Sequence, residues 1–163
     1  MATIIDPSRN LSYYAIPAAW LFAVLPHTYA VALYMSRSSK SSKAVDLSKP
    51  RTMLKDLEGD QSVDSATKNA IIRAESAHTN GMENLGFFAT AVVAANTAGV
   101  DTGLLNTLSW GYVASRLVYN LVYLNNTTQG IALMRTLVFF SGIGLCVGMF
   151  VSAGNKASGL RLF

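Results

Sequence analysis

Four stretches of this chain are long, apolar and nearly free of charge. They span residues 11–35, 82–100, 104–124 and 131–153. A bilayer core about 30 Å thick is crossed by a helix of roughly 20 mostly apolar residues. Lipid offers no partner to a bare N–H or C=O, so such stretches fold as helices. Only 13% of the 163 residues are charged, against ~25% in soluble domains, and most of those lie between Arg37 and Glu83. This pattern excludes a soluble globule and a disordered tail. The single cysteine excludes a disulfide scaffold and a thiolate zinc site. What remains is a small polytopic membrane protein: an all-α, four-helix up-and-down bundle, one domain over 1–163.

The spans are expected at about 11–35, 66–100, 104–124 and 131–153. Pro17 and Pro26 interrupt the first, and each removes a helix hydrogen bond that neighbouring helices must replace. The second starts well before its apolar part. Asp64 or Ser65 can cap it, and 66–80 holds no proline or glycine. The Gly- and Asn-containing connections at 99–103 and 125–130 are short, which makes successive helices antiparallel neighbours. Loop 36–63 carries Arg37, Lys40, Lys43, Lys49, Arg51 and Lys55. Lysine and arginine beside spans mark the cytoplasmic side, outweighing Lys156 and Arg161 at the C-terminal end. Basic residues beside a span have this simpler explanation, so no nucleic-acid partner is expected.

Ionisable side chains inside a span cost about 2.5–3.5 kcal/mol each and usually face protein or water. Glu83, Arg116 and Arg135 are such residues. Helical periodicity puts Arg73, Ser76, Asn80, Glu83, Asn84 and Phe87 on one face of the second helix. Arg116, Tyr119, Asn120 and Tyr123 share a face of the third, and Arg135 opens the fourth at the same membrane level. One reading is an internal network in which Glu83 pairs with Arg116. The other is a polar pocket for an anionic ligand, with Arg135, for which the sequence offers no obvious partner, its sharper candidate. His27 and His78 lack metal-ligand spacing and a third ligand, so no metal is expected. His78 is a candidate acid or base. Cys146 reads as a buried structural thiol, and Gly144-x-x-x-Gly148 allows close helix approach.

These residues also carry a resemblance. Ala77-x-x-Asn80-x-x-Glu83-Asn84 on the second helix, Lys49-Pro50-Arg51 in the loop, Arg116-x-x-Tyr119-x-x-x-Tyr123 on the third helix and Arg135-Thr136-Leu137 on the fourth resemble the MAPEG family, membrane-associated proteins in eicosanoid and glutathione metabolism. The resemblance runs in order over nearly all of 10–153. It implies a homotrimer in the bilayer, with active sites between subunits that open to the cytoplasmic half. It further implies that Asn80 and Glu83 hold the amino-acid part of glutathione. Arg37, Arg73, Arg116, Tyr119 and Tyr123 would line or support the site, and Arg135 would stabilise the thiolate as the catalytic residue. Two features depart from the family pattern. Ser76 and Thr79 stand where glutathione-using relatives carry basic residues, and the segment between Tyr123 and Arg135 is several residues longer.

Three functions follow as expectations. The first is a glutathione-dependent transferase, isomerase or peroxidase acting on a lipophilic small molecule. The second is a glutathione-independent enzyme of the same fold that cyclises or isomerises a polyketide- or terpenoid-type intermediate. The third is a non-catalytic protein that presents a lipid. The expected location is a multi-pass position in the endoplasmic reticulum membrane, with loop 36–63 cytoplasmic.

Overall fold

The computed structural model describes residues 9–38 and 49–159. Lys40, Lys43 and Arg161, used above for orientation, lie outside them. The regular elements among the described residues are all helices: α1 Ser12–Arg37, α2 Met53–Gly59, α3 Ser65–Thr97, α4 Thr102–Leu124 and α5 Gln129–Ser158. A 3-10 turn over Pro50–Thr52 leads into α2. The four long helices overlap segments 11–35, 66–100, 104–124 and 131–153, and α5 runs five residues further, to Ser158. The short α2 is an addition inside the loop.

Helix boundaries follow from local chemistry. Asp64, Asp101 and Thr128 are N-caps whose side chains accept from Thr67 N–H, Leu104 N–H and Ile131 N–H, satisfying donors that the first turn leaves open. The Thr67 hydroxyl and N–H hold the Asp64 carboxyl below its ordinary pKa. After α3 the chain turns through Gly99, at φ +71°, a conformation that favours glycine.

α1 packs most extensively on α3, and α4 on α5. The main core combines Ala15 and Ala19 of α1, Phe88, Ala91, Val92 and Ala95 of α3, and residues of α4 and α5 that include Tyr112 and Met149. Phe88 and Tyr112 stack with centroids 3.9 Å apart. The alanines let α1 and α3 approach closely: a Cβ on Gly81 would sit 2.9 Å from the Ala23 Cβ. A second cluster, built on Tyr34, Met53, Leu57 and Ile71, fastens α2 to α1 and α3. Beside it Asp60 accepts from the Ser62 hydroxyl and N–H and from Ser38. The Ser62 bonds are the larger cause of a carboxyl pKa held below its ordinary value.

The exterior carries many large apolar side chains. Leu133, Leu137 and Phe140 on α5 are 64%, 64% and 62% exposed, while Ser109 and Arg116 are buried. An apolar outer surface over a partly polar interior is the pattern of a chain solvated by lipid. α1 and α5 are long and apolar enough to cross a membrane. α3 and α4, of 33 and 23 residues, have the length but carry more polar side chains.

α1 runs without a break through Pro17 and Pro26, and its neighbours supply the replacement bonds at Pro26. Pro26 has no N–H for the Phe22 carbonyl four residues earlier, and Asn120 of α4 donates its Nδ2–H there at 2.7 Å. The next carbonyl, of Ala23, accepts from His78 Nδ1 of α3 at 2.8 Å. Asn120→Leu leaves the Phe22 carbonyl unpaired and is expected to cost about 1–3 kcal/mol, read as a lower thermal midpoint in detergent. Adding Pro26→Ala, which restores the backbone donor, should recover most of that loss.

Candidate functional site

Asn80 of α3, Tyr119 and Tyr123 of α4, and Arg135, Thr136 and Phe139 of α5 line an open cleft of about 210 Å³. Arg135 stands near the start of α5, six residues beyond Gln129. Its guanidinium carbon lies 4.8 Å from the centre of the Tyr123 ring. Tyr123 meets Tyr119 edge to face at 5.4 Å, and Tyr119 packs on Phe139 at 6.0 Å. Arg135 is half-buried and makes no ion pair among the described residues. Its charge is therefore met only by the ring face, which leaves the guanidinium donors for a ligand.

Arg116 lies behind the cleft, 4% exposed. The Glu83 pairing of the internal-network reading is not formed among the described residues. Nη2 of Arg116 instead donates to the carbonyls of Phe139 and Val138 at 3.2 and 3.5 Å. Its guanidinium carbon stands 4.9, 5.2 and 5.7 Å from the ring centres of Tyr112, Tyr119 and Phe139. Nη1 is buried without a hydrogen-bond partner, so three ring faces and two carbonyls replace a carboxylate. Gly142 makes this possible, because a Cβ there would collide with the Arg116 guanidinium. Arg116 thus fixes α5 against α4 at Val138 and Phe139, about one turn beyond Arg135.

Glu83 lies one turn beyond Asn80 on the same helix face. It is exposed, does not line the cleft, and forms no ion pair among the described residues. Asn80 and Asn84 turn their amides back onto α3, donating to the Ser76 and Asn80 carbonyls at 2.8 Å. Arg73 points away towards α4, where its Nε–H donates to the Leu124 carbonyl at 3.1 Å. This satisfies a helix C-terminus. Ser76 and Thr79, at the positions of the missing basic residues, bond back to the Ile72 and Glu75 carbonyls. Arg37 is exposed at the last residue of α1.

His78 is not at the cleft. It sits on the opposite side of α3, bonded to Ala23 and with its ring 5.0 Å from that of His27. His27 Nδ1 is 2.7 Å from Glu75 Oε1, a hydrogen bond that becomes an ion pair when the imidazole is protonated. Sequence periodicity places Glu75 off the polar face but cannot show that α1 brings a histidine to it. Thr136 and Phe139 are cleft residues that polarity alone does not select. Phe139 follows Arg135 by one helical turn, which is the available signal.

The sequence matches the family model for MAPEG over residues 14–155. No curated protein and no solved structure gives a match. The family match covers most of the chain, including every helix that lines the cleft, and the protein belongs to the MAPEG family.

Proposed function

We propose that the protein is a glutathione-using enzyme that attacks a lipophilic electrophile reaching the cleft from the bilayer. Four long helices cross the membrane in this reading, with loop 36–63 cytoplasmic and the endoplasmic reticulum as host membrane. The observation that carries it is Arg135, a guanidinium held on the Tyr123 ring in a cleft with Asn80, Tyr119 and Thr136 and with no carboxylate partner among the described residues. A thiol of pKa near 8.5 is mostly neutral at pH 7. A nearby cation favours the thiolate, which is the nucleophile. Asn80 and, on the same face, Glu83 offer an amide and a carboxylate to the ligand's own amide and ammonium groups. Arg116 acts as the support of the α5 backbone.

The cleft volume supports a homotrimer. At about 210 Å³ and open on one side, it is smaller than the ~300–1,000 Å³ typical of small-molecule sites. A neighbouring subunit closing the open side would complete it and cover Glu83. The direct test is conjugation of glutathione to 1-chloro-2,4-dinitrobenzene by the detergent-purified protein. Product formed at a saturable, protein-dependent rate is expected, and its absence contradicts the proposal.

One observation favours the glutathione-independent reading. Arg73, the cation best placed to replace the missing arginine at Ser76, is taken up by the Leu124 carbonyl. Turnover of a lipophilic substrate that persists without glutathione would select it.

A further inference from the structure

Glu75, His27 and His78 form a cluster of ionisable groups on the α1–α3 contact, across α3 from the Arg135 cleft. We infer that His27, oriented by Glu75 and flanked by His78, is a general base for an acidic O–H or C–H of a lipophilic substrate, at a site separate from the glutathione cleft.

An adhesive role does not account for the cluster. α1 and α3 are already joined by the Ala15, Ala19 and Ala23 face, the close approach at Gly81, and the His78 bond to the Ala23 carbonyl. An apolar pair would hold the helices without taking charge into lipid. The burial pattern points to chemistry instead. The His27 side chain is 35% exposed and that of Glu75 14%, so the carboxylate lies behind and the imidazole in front. When Glu75 is ionised its carboxylate only accepts, so Nδ1–H of His27 is the donor, and in the neutral imidazole the lone pair then falls on Nε2. A histidine held in one tautomer by a carboxylate, with its second nitrogen free, is the arrangement that takes a proton and stabilises the resulting imidazolium.

His78 repeats the tautomer. Its Nδ1–H serves the Ala23 carbonyl, which leaves a second Nε2 acceptor on a ring 5.0 Å away. Two imidazoles 5.0 Å apart, each with Nδ1 engaged, favour a ligand that brings a donor. No group of three metal-binding side chains occurs among the described residues. In the step proposed, the substrate X–H proton passes to His27 Nε2 and its bonding pair stays on the substrate as an enolate or phenolate. The imidazolium, paired with Glu75, returns the proton to another atom of the same anion. The net change is an isomerisation that needs no oxidant, reductant or thiol.

The test uses the whole protein in nanodiscs, without glutathione, and an octyl-substituted 4-nitrophenol. The phenolate absorbance is read one pH unit below the probe's pKa in empty discs. The wild-type protein is expected to raise that absorbance several-fold. In an Arg135→Ala background, which removes the cleft cation as a second source of phenolate, the rise is expected to persist, and adding His27→Gln or Glu75→Gln should return it to the empty-disc level. Glu75→Gln preserves shape and a hydrogen-bonding group, so it remains informative if His27→Gln fails to fold, which circular dichroism would show. No rise with wild type, a rise retained when Glu75→Gln is added to Arg135→Ala, or a rise lost in Arg135→Ala overturns the inference. None of these outcomes depends on whether glutathione binds.

Discussion

Gly142→Ala is expected to lower stability by about 3 kcal/mol, a large change for one methyl group on a helix that otherwise favours alanine over glycine by about 1 kcal/mol. The added Cβ occupies the position of the Arg116 guanidinium. Arg116 must then leave the Val138 and Phe139 carbonyls, and a buried cation without its partners is costly, about 3–5 kcal/mol where a buried pair is broken. Arg116→Met removes the charge and the obstruction together. Against that background Gly142→Ala should be neutral or mildly stabilising. The double-mutant cycle, followed by thermal midpoint in detergent, is therefore expected to show a coupling of about 3 kcal/mol or slightly more. Equal costs in both backgrounds would mean that Arg116 does not depend on the gap left by Gly142.

Arg135→Ala is expected to cut glutathione conjugation by about 10²–10³-fold, the effect of removing one preorganised group that stabilises developing or formed negative charge. The loss should fall mainly on kcat, because Asn80, Tyr119 and Tyr123 still line the cleft. The pH profile separates thiolate stabilisation from simple binding. With an unassisted thiol, the residual rate should climb about tenfold per pH unit until near 8.5, while the wild-type rate stays flat above neutrality. Arg135→Lys keeps the charge but not the planar face against Tyr123, so an intermediate rate is expected. A wild-type profile with the same slope as the variant would remove Arg135 from this role.

Much of the architecture is legible in the sequence because its causes are local. Asp64, Asp101 and Thr128 precede their helices with oxygen-bearing side chains and become the caps. The spacing of Arg116, Tyr119 and Tyr123 places them on one side of α4, and two of the three line the cleft with Arg135. The features not legible are those set by packing. α2 has only seven residues, too few for a periodic signal, and forms because Met53 and Leu57 bury against α1 and α3. The sequence offers Glu83 as the natural partner of Arg116. Packing instead turns Arg116 inward onto a carbonyl surface opened by Gly142, and a missing side chain leaves no mark that sequence alone interprets. The His27–Glu75 pair joins residues 48 apart, a separation that helical periodicity does not relate.

The central claim is that the cleft of Asn80, Tyr119, Tyr123 and Arg135 holds glutathione. Thermal unfolding of the detergent-purified protein across a glutathione titration tests it without any assumption about the second substrate. A ligand that binds only the folded state at 100 times its Kd contributes about 2.7 kcal/mol. The expected result is a midpoint that rises by several degrees at millimolar glutathione and rises less in Tyr123→Ala. A midpoint that does not move up to 10 mM, a concentration of roughly this excess for a Kd of about 0.1 mM, contradicts the claim.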